Sequence, residues 1–203
     1  MIPWYGQSWS VFAPEPINGD YHFDVRAVVS VDGEKAATVW VSATDVELSM
    51  SEHNLLPPRA AGLAVKSASD YKAAWDSLTS EQQKVAELGF YKGDDWLGRM
   101  QVAMNELADN EEDVARFIAR ERFADAYATQ VALSVWGEAV ESVQWQVWRQ
   151  NIVPFEARND PDSKRPAPTI LASGWRGLIE LPGQSRDDFA NTFLAQYQRI
   201  AGE

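Results

Sequence analysis

The chain of 203 residues has no cysteine and only two histidines, His22 and His53. Without cysteine there is no disulfide, no thiolate nucleophile and no zinc-thiolate centre. Two histidines, in neither a His-x-x-x-His nor a Glu-x-x-His arrangement, are too few for a multi-histidine metal site. Bases are scarce as well: 18 Lys and Arg stand against 30 Asp and Glu, for a net charge of −12 and a pI near 4.6. Such a chain repels nucleic-acid phosphates and anionic membrane surfaces, so neither nucleic acid nor membrane is an expected partner. No apolar run approaches the roughly 18 residues of a membrane span. Met1-Ile2-Pro3-Trp4-Tyr5 lacks the basic start and apolar run of a secretory signal, and the expected address is cytoplasmic. Catalytic signatures are also missing. There is no Gly-x-Ser-x-Gly elbow, no Gly-Lys-Ser/Thr phosphate loop and no Gly-x-Gly-x-x-Gly after a strand. Asp160-Pro161-Asp162 lacks the glycine and closing glutamate of a calcium loop. No cofactor and no metal are expected.

What is present fits a folded globular chain. Hydrophobic residues at 45% and charged residues at 24% exclude wholesale disorder, and the length supports a hydrophobic core. Nine tryptophans are the compositional excess. Residues 1–50 carry 7 acids to 2 bases and residues 101–150 carry 9 to 4, so the acidity belongs to an N-terminal β region and a central helix.

From Tyr21 to Val31 the odd positions are apolar and the even ones mostly polar, the period of a strand with one buried face. Asp32-Gly33 marks a hairpin turn, and Ala36 to Leu48 reads as the return strand. A three-residue loop of Val31-Asp32-Gly33 pairs Val25 with Val39 and Phe23 with Val41, and gathers the apolar side chains on one face. That register buries Val39 and leaves Asp24 and Trp40 on the opposite face. After Leu55-Leu56-Pro57-Pro58 the pattern turns helical. One helix carries Tyr71, Trp75 and Leu78. A second, capped by Thr79 or Ser80, carries Val85 and Leu88, and a third after Asp95 carries Trp96, Met100 and Met104. Asn110 starts a long helix whose inward stripe extends it to about Gln150. Four prolines between Pro154 and Pro168 mark a loop, Trp175 to Leu181 a short strand, and Ser185 the cap of a last helix. The expected fold is α+β: an N-terminal antiparallel β-hairpin or sheet packed on a mainly helical C-terminal portion with one long central helix. It is read as one domain over 1–203, with a β-rich part to residue 66, a helical part over 67–151, and a loop, strand and terminal helix over 152–203.

Two constellations bear on function. The carboxylate pairs Glu121/Asp125 and Glu138/Glu141 lie one turn apart or less, the arrangement a polysaccharide hydrolase needs. With so many acids such pairs arise by chance, and solvated helix rows are the expected setting. The second constellation is acidic and aromatic. Asp109, Glu111, Glu112 and Asp113 cluster at a helix start, where Glu112 can pair with Arg116. Trp145, Trp148 and Arg149 project from a segment whose inward positions are filled, and tryptophan and arginine are frequent interface anchors. A further cluster, Trp4, Tyr5, Trp9 and Phe12, is expected to fold back over a sheet face. The expected function is that of a non-enzymatic protein-binding protein, an inhibitor or assembly factor docking on a basic partner surface. By analogy of charge balance with assembly factors, an origin in a phage or mobile element is the expectation. A structural subunit of a particle such as a virion is the alternative, and a carboxylate hydrolase the second.

Overall fold

The computed structural model describes residues 19–52 and 54–202, with the backbone alone described at Arg59. The aromatics Trp4, Tyr5, Trp9 and Phe12, and His53, lie outside the described residues. Internal contacts divide the chain into one unit of residues 1–20 and 149–169 and another of residues 21–148 and 170–203.

A five-stranded sheet comprises β1 (Gly19–Val31), β2 (Glu34–Ala37), β3 (Val41–Ser42), β4 (Val140–Asn151) and β5 (Thr169–Ala172). The strand order is β2-β1-β4-β5, with β3 also paired to β1. In β1 the alternation holds, with Phe23, Val25 and Ala27 fully buried. The hairpin register differs from expectation. Asp32 and Gly33 both take positive φ, 53° and 84°, the backbone of a two-residue turn whose twist matches the flanking strands. Val31 therefore pairs with Glu34 and Val28 with Ala37. The chain then gains a residue across Thr38–Trp40, so that Val25 faces Val41 and Asp24 faces Ser42. Thr38 holds this bulge, its Oγ1 accepting from the Ala27 N–H at 3.0 Å and its own N–H donating to the Ala27 carbonyl at 2.8 Å. The bulge returns an apolar residue to the inner face, but that residue is Val41, 6% exposed, while Val39 is 77% exposed.

The return strand also stops early. Ser42 Oγ accepts from the Asp45 N–H at 3.2 Å and starts helix α1 (Ala43–Ser49). Thr44 Oγ1 takes the Phe23 N–H at 2.9 Å, a backbone donor that a longer strand would have paired.

Five more helices follow: α2 (Leu63–Trp75), α3 (Ser80–Ala86), α4 (Trp96–Asn105), α5 (Glu111–Trp136) and α6 (Arg186–Ala201). Thr79 and Gln82 form a reciprocal capping box at α3, and Ser185 Oγ accepts from the Asp188 N–H at 3.3 Å at α6. The central helix ends at Trp136, not near Gln150. Gly137 at φ 72° leaves the helical path, and a short 3-10 turn over Gly137–Ala139 leads into β4. Within β4 the period-two pattern prevails: Val143, Trp145 and Val147 are fully buried on one face. Nor does Trp175 to Leu181 form a strand. Only Arg176 bridges, exchanging backbone hydrogen bonds with Val143 at 2.8 and 3.1 Å. Gly174 just before it lies so close to the Leu88 carbonyl that no side chain fits there.

The fold is thus α+β, an antiparallel N-terminal sheet followed by a mostly helical portion around α5. The inner sheet face meets an aromatic core in which Phe23 packs edge-on to Tyr127, and Tyr71 contacts Phe117 and Trp145. Phe193 of α6 closes it, stacked on Phe189. In the other unit, Arg165 holds the proline-rich loop against the end of β4. Its Nη2 donates to the Gln150 carbonyl at 2.8 Å and pairs with Asp20 at 2.7 Å. Among the described residues no helix is long and apolar enough to cross a membrane.

The bulge makes a sharp prediction. Val41→Asp buries an unpaired charge and should destabilise the fold by about 3 kcal/mol or more, whereas Val39→Asp should stay within about 0.5 kcal/mol. Chemical denaturation of both variants checks it, and equal losses would reject the register.

Candidate functional site

Helix α5 opens on Glu111, Glu112 and Asp113, acids that meet the positive end of the helix dipole. Asp109 to Asp113 line one shallow concavity. Asn110 at its centre does not cap the helix with its side chain. It exchanges hydrogen bonds with Gln82, whose Nε2 donates to Asn110 Oδ1 at 2.6 Å and to the Met104 carbonyl at 3.1 Å. Gln82 is fully buried, so the loop presenting the acids is anchored from beneath. Arg116 pairs with Asp113 at 2.8 Å rather than with Glu112. The ion pairs among the described residues give no cation to Asp109, Glu111 or Glu112, and all three are exposed.

The aromatic half of the expected surface is rearranged. Because residues 140–151 are a strand, Trp145 points inward and is fully buried beside Phe23 and Tyr71, a core residue rather than an anchor. Trp148 faces the other way. Its ring stacks on His22 at 3.7 Å, and its Nε1 donates to Asp24 Oδ2 at 3.0 Å. Gln146 Nε2 reaches the same oxygen at 2.8 Å. Farther along this outer sheet face, Arg26 lies between the rings of Trp40 at 4.6 Å and Trp175 at 5.1 Å and donates to Gln144 Oε1 at 2.8 Å. His22 thus sits on the polar face expected of it, but half-buried under an indole. Arg149 belongs to the unit of residues 149–169. The structure therefore brings the four acids together and does not gather Trp145 and Trp148 beside them.

The first carboxylate pair is not in a solvated row. Glu121 and Asp125 are both 0% exposed, as is Arg176. Arg176 Nε donates to Glu121 Oε1 at 2.6 Å, and Tyr71 Oη donates to Glu121 Oε2 at 2.9 Å. The two remaining guanidinium nitrogens donate to the carbonyls of Ala86 and Leu88, at the end of α3. Asp125 has no hydrogen-bond partner for either oxygen. Burial, and then the negative Glu121 one turn away, push its carboxyl well above the usual carboxylate range. Burial and Glu121 likewise raise the Tyr71 phenol. The second pair is exposed as expected but not on a helix row: Glu138, in the 3-10 turn, pairs with Arg186 at 2.9 Å, and Glu141, in β4, with Lys35.

A further buried acid, Glu47, carried no signal in the sequence. From α1 it reaches the uncapped start of α2, accepting from the Ala64 N–H at 2.7 Å, and it accepts from Tyr127 Oη at 2.6 Å. Burial raises its pKa from 4.5 to about 7. Arg176 carries no signal either, Tyr71 reads only as part of a helical stripe, and the spacing of Glu121 and Asp125 marks the pair without marking its burial. Among the described residues no group of three or more His, Asp and Glu is placed to hold a metal ion.

The buried acids set a pH dependence. Between pH 4.5 and about 7 the folded chain keeps a proton on Glu47 that the unfolded chain has released. Stability is therefore lost as pH rises through that window, by a total of about 3 kcal/mol above it. Glu47→Gln keeps the shape without the charge and should flatten part of the slope; Asp125, raised in the same direction, keeps the rest. Melting temperatures from pH 4.5 to 8 check this, and identical slopes would reject it. Removing one partner of the fully buried pair, Glu121→Ala, should cost about 3–5 kcal/mol because Arg176 is left charged and unpaired. Denaturant unfolding measures that loss.

Neither a curated protein nor a solved structure matches the chain. A family described only as a family of unknown function, DUF5819, matches residues 1–178. That span takes in the sheet, the helices α1 to α5 and Arg176, and the chain belongs to this family.

Proposed function

We propose that the protein is a non-enzymatic binding protein that docks a basic partner surface through the acidic start of α5. The observation that carries this reading is the concavity of Asp109, Glu111, Glu112 and Asp113, where three exposed carboxylates within four positions have no cation among the described residues. Like charges held so close repel one another, and a basic surface brought against them relieves that repulsion. The anchoring of Asn110 by buried Gln82 supports the reading too, since a preorganised loop loses little entropy on binding. Against a hydrolase stands the burial of Glu121 and Asp125, both 0% exposed, whereas a hydrolytic carboxylate pair has to face a substrate in a cleft. The bonds of Glu121 to Arg176 and Tyr71 serve packing instead.

Charge steering acts on association and is screened over about 8–10 Å at physiological salt. Wild type and the triple variant Asp109→Asn, Glu111→Gln, Glu112→Gln are immobilised and exposed to the same native lysate. The reading expects a basic protein retained by wild type at low salt, eluted as salt rises, and retained at least tenfold less by the variant. Identical sets of retained proteins on both would overturn it.

A further inference from the structure

Helices α2 and α5 pack side by side and leave a groove of about 260 Å³ between them. Its floor is Ala124, whose small side chain creates the depth. Its walls are Leu63 and Phe123, apolar residues that remain 42% and 55% exposed. Along one rim, Asp70 Oδ2 accepts from Lys66 Nζ at 3.0 Å and lies 3.2 Å from Arg120 Nη1. One carboxylate oxygen thus serves two cations, and the rim carries a net positive charge on a chain whose total is −12.

The arrangement is amphipathic in a specific sense. Arg120 and Phe123 lie one turn apart on α5, so a cation and an exposed ring face the same space, and Leu63 and Lys66 repeat that pairing from α2. Both cations keep free N–H donors after meeting Asp70, since an ammonium has three and a guanidinium five. They converge on a single oxygen, so a second carboxylate placed beside Asp70 can bridge the pair. The apolar walls take whatever is attached to that carboxylate. At about 30 Å³ per water, the groove holds roughly nine waters' worth of liquid, which suits a body of about ten non-hydrogen atoms. The strongly negative chain repels polyanions, which disfavours nucleotides and multiply charged phosphates and favours a single negative charge.

We infer that the α2/α5 groove binds a small organic acid, with one carboxylate held by Lys66 and Arg120 and an apolar body between Leu63 and Phe123. The site does not depend on the acidic concavity or on what docks there. For a ligand of this size the affinity is roughly millimolar or somewhat tighter.

The probe is octanoate, titrated into the ¹⁵N-labelled full chain and followed by amide chemical shifts, with octylammonium and acetate as controls. The expected result is a saturable response confined to residues 63–70 and 120–124, with octylammonium and acetate at least tenfold weaker. The double variant Lys66→Gln, Arg120→Gln should weaken octanoate at least tenfold. Phe123→Ser, which keeps both cations, should do so as well. All three positions lie on the surface, and the same spectra report folding. Equal binding of octylammonium would overturn the inference, since apolar contact alone would then suffice. Shifts centred elsewhere, or octanoate affinity unchanged in either variant, would overturn it too.

Discussion

The ion pair between Glu121 and Arg176 is the contact on which the rest of the structure depends. Removing two charges from water costs several kcal/mol each, and their attraction recovers this only when every remaining donor and acceptor is matched. Here the matching recruits four parts of the chain. Tyr71 comes from α2, the Ala86 and Leu88 carbonyls from the end of α3, Glu121 from α5, and Val143 from β4 through the Arg176 backbone. Carbonyls at a helix end lack partners of their own, so the guanidinium also satisfies groups that α3 leaves open. The rings of Phe90, Trp96 and Trp145 surround the cation at 5.6–5.8 Å and supply the packing that keeps water out. A planar donor with a fixed fork suits this role; a lysine has neither the reach nor the geometry for three directions at once.

Glu47 repeats the logic with fewer partners. It joins α1, the start of α2 and α5, and takes the place of a side-chain cap that Gly62 cannot provide. The difference between the two acids is charge compensation. Glu121 faces a guanidinium, whereas Glu47 faces a neutral phenol and backbone amides, so burial dominates and proton binding near neutral pH follows. Asp125, with neither oxygen bonded, lies at the far end of that series. Three acids on the hidden side of a helical layer thus answer to three environments.

How much of this the sequence discloses follows from the range of each interaction. Local signals read well: the alternation of Phe23, Val25 and Ala27, the Thr79 cap and the Ser185 cap all depend on neighbours within a few residues, whereas the Asn110 side chain, expected to cap α5, bonds Gln82 instead. The errors lie where two local signals compete. Trp136, Val140, Val143 and Val147 fit a helical stripe and Val143, Trp145 and Val147 a strand; Gly137, free to take a positive φ, decides for the strand. At the hairpin, Asp32-Gly33 favours a two-residue turn, while apolar burial favours the other register. The bulge at Thr38 satisfies both, a solution that a rule for one strand pair does not contain. The buried network was illegible for a different reason. Arg176 and Glu121 are 55 positions apart, and no periodicity marks an arginine that will be buried.

The two surface sites divide the electrostatics of the chain between them. At the start of α5 carboxylates crowd together, tolerated because the helix terminus offers partial positive charge and water screens the remainder. Less than three turns along the same helix, Arg120 and Lys66 share one aspartate oxygen and reverse the sign locally. A helix rises about 1.5 Å per residue, so Glu111 and Arg120 are separated by roughly 14 Å along the axis, more than one screening length at physiological salt. The two fields therefore act nearly independently. On the proposed readings, a basic surface steered by the acids would meet little opposition from Lys66 and Arg120, and a single carboxylate entering the groove would be exposed mainly to the cations at its rim. One helix, its inner face held through Glu121, contributes to both.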